Sequence, residues 1–146
     1  MGRWTYTLKV QWTNVVAIGV GAAIGTISRY GLNLFTLETG YPFGTLIENL
    51  FGSFLLGFLT AWFLLFIPKE WVKLGLGVGL CGGFTTMSTL AGDAIFLFTT
   101  FSSFDAIIYI FGSMIGGILF ALLGFELARR ISGKSIRLKK HEVKRG

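Results

Sequence analysis

The chain has little with which to build the chemistry of a soluble enzyme. Its 146 residues include one cysteine and one histidine. Cys81 has no second thiol to pair with, so an intrachain disulfide is excluded, and its place in an apolar run marks it as a small packing residue. His141 lies in a basic C-terminal stretch. Neither a histidine-based metal site nor a Ser-His-Asp arrangement can therefore form within the apolar part of the chain, which sets aside metal-hydrolase and triad chemistry. Charged residues make up only 14%, against about 25% in soluble domains.

What the chain has instead is hydrocarbon. Apolar residues account for 53% and aromatics for 16%, and the mean hydropathy is +0.70. These values predict an all-α integral membrane protein with four transmembrane helices, near Val15 to Phe35, Phe43 to Ile67, Trp71 to Thr99 and Phe104 to Leu127. Each is long enough to cross about 30 Å of hydrocarbon at about 1.5 Å per residue. The connections, Thr36 to Pro42, Pro68 to Glu70 and Thr100 to Ser103, leave no room for a domain between spans. The first apolar run continues past Arg29 without a convincing cleavage site, so it reads as a retained helix and not a signal peptide. The expected division is a four-helix transmembrane domain over 1–128 and a basic cytoplasmic tail over 129–146.

Basic residues are distributed unevenly. Arg3 and Lys9 precede the first span, Lys69 and Lys73 lie between the second and third, and Arg129, Arg130, Lys134, Arg137, Lys139, Lys140, Lys144 and Arg145 follow the fourth. With four spans these fall on one side, while the opposite loops carry only Glu38 and Asp105. The positive-inside rule then predicts a multi-pass protein of the cell membrane with both termini cytoplasmic, inserted in a single orientation. The tail is read as a solvated topology anchor rather than a nucleic-acid or anionic-lipid site.

Small residues recur at four-residue spacing: Gly21 and Gly25, Ser53 and Gly57, Gly112 and Gly116, Ser113 and Gly117. That spacing lets helix backbones approach closely, a main source of association energy in lipid. Thr45, Asn49 and Ser53 form a polar stripe on the second helix, with Tyr109 and Ser113 at the same spacing on the fourth. A row of neutral hydrogen-bond donors suits an anion that must shed water and still leave. The alternatives are hydroxyls bonded to their own helix and an Asn49 amide that joins two helices. Three ionisable residues, Arg29, Glu48 and Asp93, fall within spans. Each must face protein or water and find a partner. For Glu48 both structural pairing and a role in conduction or partner choice stand open.

The third span is interrupted by the segment from Gly82 to Asp93, GGFTTMSTLAGD. At membrane depth such a stretch survives only when buried in protein or lining a polar cavity. Gly75, Gly77, Gly79, Gly82 and Gly83 are expected to loosen the helix into a non-helical turn. Unwinding frees carbonyls, which suit a hard monovalent cation, and amides, which join the hydroxyls of Thr86, Ser88 and Thr89 in attracting an anion.

These residues resemble a known family. The motif GGxxGxxxRY (Gly21, Gly25, Arg29 and Tyr30, with Ala22 for the second glycine), the complete GTLxxNxxGSFxxG from Gly44 to Gly57, GGFTTxST from Gly82 to Thr89 and YxxxS at Tyr109 and Ser113 are similar to those of the Fluc fluoride channels, also called CrcB. The resemblance implies an antiparallel, inverted dimer that passes fluoride down its gradient and relieves fluoride toxicity. It also implies a structural Na+ at the dimer interface, held by the backbone carbonyls of Gly82 and Thr85. Asn49, Ser88, Thr89, Tyr109 and Ser113 would belong to the ion pathway.

Two departures from the family pattern carry weight. Family members usually place phenylalanines where this chain has Met87 and Leu90, so the ring edges are missing. An inverted homodimer also needs nearly balanced charge, which this chain lacks. The expected partner is therefore a homologous four-helix subunit inserted the other way, in a heterodimer. The rival expectations are a small four-helix proton-coupled exporter using Glu48, and a non-conducting structural subunit of a heterodimeric channel.

Overall fold

The structure is a computed structural model that describes the backbone of residues 2–143 and the side chains of residues 11–132 apart from residue 37. Helix α1 (Gly2–Thr36) ends in a single 3₁₀ turn, Leu37–Thr39. Gly40 reverses the chain there at φ 65°, a conformation that glycine adopts without steric cost. Helix α2 (Phe43–Phe66) stops at Ile67, whose φ of 41° is left-handed, just before Pro68. The third span has two parts. Its first half, α3 (residues 70–84), runs through an α-helical turn Glu70–Lys73, a π-helical stretch Leu74–Cys81 and a last turn Gly82–Phe84. Its second half is α4 (Met87–Thr100), and α5 (Ser103–Val143) completes the chain.

Among the described residues, four helices are long and apolar enough to cross a membrane: Gln11–Thr36, Phe43–Phe66, Glu70–Thr100 and Ser103–Ser132. The predicted spans fall within these bounds, except that the second was carried one residue further. Helix α5 passes the expected boundary at residue 128 without a break. The tail that charge sets apart is thus, as far as Val143, a continuation of the fourth helix; residues 144–146 lie outside the described residues.

The bundle is assembled from two tight pairs. In the first, α1 lies against α3 with glycine on both sides. A Cβ on Gly21 would run into the Gly75 carbonyl and one on Gly25 into that of Leu80. From the other side, a Cβ on Gly79 would stand 2.6 Å from the Ile18 oxygen, and one on Gly83 2.5 Å from the Ala22 oxygen. In the second pair, Gly57 of α2 abuts the Ala121 carbonyl and Gly124 of α5 the Phe54 carbonyl. Gly117 faces Ser53, whereas Gly112 has open space around it. Helix α4 packs on α5 through Leu90, Leu97, Ala106 and Tyr109, with Tyr41 and Leu46 against them.

The glycines of the third span therefore act differently from the expectation. Gly75, Gly79 and Gly83 remain helical and allow backbone contact with α1. The chain leaves the helix only after the last of them, at Thr85 and Thr86. The segment from Gly82 to Asp93 is interrupted over two residues, not over its whole length.

Candidate functional site

Thr85 (φ −80°, ψ 156°) and Thr86 (φ −152°, ψ 126°) are extended. Such residues have left the helical hydrogen-bond ladder, and each lost bond must be replaced. Asn49 replaces two of them: its Oδ1 accepts from the Thr86 amide at 2.8 Å, and its Nδ2 donates to the Thr86 carbonyl at 3.0 Å. Thr86 in turn caps α4, its hydroxyl oxygen accepting from the Thr89 amide at 3.2 Å. The same hydroxyl lies 3.2 Å from that of Ser88 and 3.1 Å from that of Thr89. On the α3 side, Thr85 donates through both its amide and its hydroxyl to the Cys81 carbonyl. Gly52, one turn beyond Glu48 on α2, permits the approach, because any Cβ there would meet the Thr85 methyl.

Two carbonyls lose their helical donors as a result. In an unbroken helix the Thr86 amide would return to the Gly82 carbonyl and the Thr89 amide to that of Thr85. Here Asn49 takes the first and the Thr86 hydroxyl takes the second. Gly82 is exposed and Thr85 half-buried, and both line one groove. The residues present fit a hard monovalent cation, for which neutral carbonyl oxygens are suitable ligands.

The break stands between two cavities. A groove of about 860 Å³ runs along α2, α3 and α5, lined among others by Asn49, Ser53, Met87, Leu90 and Ser113. A smaller cavity of about 230 Å³ is lined by Asn33, Thr45, Thr89 and Asp93 among others. Thr86 belongs to the groove and Thr89 to the smaller cavity, so the capped first turn of α4 forms the wall between them.

The expected pathway residues are divided by this wall. Asn49 and Ser113 face the groove, and Thr89 faces the polar cavity. The Tyr109 hydroxyl donates toward Asp93 at 2.9 Å, with the Pro42 carbonyl at 3.1 Å, which fixes Asp93 beside that cavity. Ser88 is exposed and lines neither of the two. The stripe of Thr45, Asn49 and Ser53 is split as well, with Thr45 on the polar side. Met87 and Leu90, the two positions without ring edges, differ in burial: Met87 is 70% exposed and Leu90 only 4%. Asn49, expected from the resemblance as a pathway amide, is also the residue that joins α2 to the break. Sequence reasoning assigned Thr86 only to a general group of hydroxyls. The available signal was a threonine, a favoured N-cap residue, immediately before the helical run that begins at Met87.

Residues 16–125 match the family described as CrcB-like protein, Camphor Resistance (CrcB). The chain belongs to the CrcB family. Within it, a protein of Halalkalibacterium halodurans named fluoride-specific ion channel FluC 2 is 62% identical over 123 residues, 84% of this chain and 91% of that protein. A Bacillus subtilis protein of the same name is 43% identical over 117 residues, 80% of this chain and 88% of that one. A Chloroflexus aurantiacus protein named fluoride-specific ion channel FluC is 38% identical over 124 residues, 82% of this chain and 98% of that one. The family match covers both members of each CrcB helix pair and the break between α3 and α4.

Proposed function

We propose that this chain is a subunit of a fluoride-specific channel that lets fluoride leave the cell passively, with no chemical step. The observation that carries the reading is the Asn49 clamp. It holds the third span open at one peptide, and it places neutral donors on both sides of a thin wall without putting a fixed cation in the way. An anion passing such a wall exchanges water for amide and hydroxyl hydrogens and is released again. Membership of CrcB and the names of the relatives support fluoride as the ion.

The partner is a homologous four-helix subunit in the inverted orientation, and a heterodimer suits this chain better than a homodimer. The one-sided basic residues support insertion with both termini in the cytoplasm. The groove offers an open face with exposed Gly82 and Met87, where a second subunit could supply the ring positions this chain lacks. The relatives named FluC 2 are consistent with a channel built beside another subunit. Na+ at the Gly82 and Thr85 carbonyls would act structurally between the two. Glu48 is fully buried and lines neither cavity, which weighs against an exporter that loads cations on this carboxylate.

The test is fluoride efflux from liposomes containing this chain alone and then with an inverted paralogue, with chloride efflux as the control. Efflux with the partner that falls with Asn49→Asp in this chain supports the reading. Proton-driven export of a cationic dye, abolished by Glu48→Gln, would overturn it. Fluoride efflux unaffected by Asn49→Asp would reduce this chain to a structural subunit.

A further inference from the structure

Glu48 is the least expected residue in the bundle. It shares a face of α2 with Gly44 and Gly52, one turn away in each direction. A Cβ on Gly44 would stand 2.5 Å from the Thr36 hydroxyl and 2.6 Å from the Asn33 oxygen, while Gly52 is pressed against Thr85. This face of α2 is closed by α1 at one end and by the break at the other, and Glu48 lies between them with 0% of its surface exposed. Neither carboxylate oxygen has a hydrogen-bond partner among the described residues.

The charged groups close enough to act on it are Arg29 of α1 and Asp93 of α4. Asp93 is itself held by Tyr109 of α5. Helix α3 carries its charges, Glu70 and Lys73, at its far end. Among the described residues the ion pairs join Glu126 to Arg129 and Arg130, and none involves Glu48. A carboxylate with none of its surface exposed is far more costly as an ion than as a neutral acid, because burial strips the charge of its hydration.

We propose that Glu48 is a proton-binding site inside the subunit and that anion passage requires its proton. The neighbouring residue is Asn49, the centre of the clamp. With Glu48 neutral, the start of α4 presents only donors to an approaching anion. With Glu48 ionised, a negative charge stands behind the wall and repels the ion. Conduction is then highest in acid, the condition in which weakly acidic HF enters a cell most readily. The consequence for flux rests on the channel reading; the proton site does not.

The experiment has two arms. Infrared spectra of the purified full-length protein are recorded across pH for the wild type, Glu48→Gln and Glu48→Asp. The proposal expects a protonated carboxylic acid carbonyl band in the wild type that disappears with alkali, is missing from Glu48→Gln and is shifted in Glu48→Asp. A wild type whose protonated-acid band is unchanged by Glu48→Gln overturns the site, whether or not the protein conducts. Fluoride efflux from liposomes, with whichever partner supports it, is then measured across the same pH range at constant Na+. Wild-type efflux is expected to fall about tenfold per pH unit beyond the titration point, as for a single proton, and Glu48→Gln to remain level. Parallel pH profiles in the two proteins, or a wild-type profile that follows Na+ and not pH, overturn the coupling. A band that behaves as expected in a protein without fluoride efflux leaves the proton site standing and sinks the channel reading.

Discussion

The two faces of α3 carry the same residue type for opposite purposes. On one face Gly75, Gly79 and Gly83 are pressed against the backbone of α1, with Gly21 and Gly25 answering from the other side. On the other, Gly77 and Gly82 line the groove, and a Cβ on Gly82 would meet nothing within 4 Å. Glycine on the closed face is a packing requirement within the subunit. Gly82 is free of that requirement within the subunit. Composition does not separate these roles; position around the helix does.

Asn49→Leu should disturb this arrangement most. It leaves the amide and carbonyl of Thr86 unpaired at membrane depth, at about 1–3 kcal/mol for each orphaned group. The expected result is a large loss of thermal stability in detergent together with loss of fluoride efflux, and an unchanged melt would mean that the clamp is not what holds the break. Next comes Gly83→Ala, which forces a methyl against the Ala22 carbonyl and should cost about 1–3 kcal/mol by overpacking, read as a lower melting temperature of the subunit. Tyr109→Phe removes the donor shared by Asp93 and the Pro42 carbonyl; a loss of about 1 kcal/mol is expected. The smallest effect belongs to Gly82→Ala, which should leave the subunit's own melt within about 0.5 kcal/mol of wild type. Yet if a partner and Na+ meet there, the same change should weaken assembly, measured as dimer fraction by single-molecule photobleaching in membranes. Equal melts for Gly82→Ala and Gly83→Ala would erase the contrast between the two faces.

The spans were legible in the sequence because hydrocarbon thickness fixes their length, and so was the existence of a break, because GGFTT cannot remain at membrane depth without protein around it. Its location was not. Five glycines in nine residues suggest a loosened backbone, yet all five are helical, and three of them, Gly75, Gly79 and Gly83, are pressed against α1, a contact that is a property of the pair rather than of the segment. Asn49 was legible as a polar group that needed a partner; that its partner is the peptide of Thr86 required the fold. Thr45, Asn49 and Ser53 share a stripe by spacing alone, and the capped turn of α4 divides them between two cavities. Leu90 and Met87 look equivalent at three-residue spacing until α5 covers one and not the other.

The unbroken run of α5 has a mechanical consequence. Its 41 residues make a rod of about 60 Å, roughly twice the hydrocarbon thickness. No hinge interrupts it between the groove and Val143. A sideways pull near that end is therefore delivered as leverage to the seam where Gly57 and Gly124 touch the opposing backbones. A bulky domain fused beyond Val143 would work as a handle on the inclination of the whole bundle, with the membrane surface as its fulcrum.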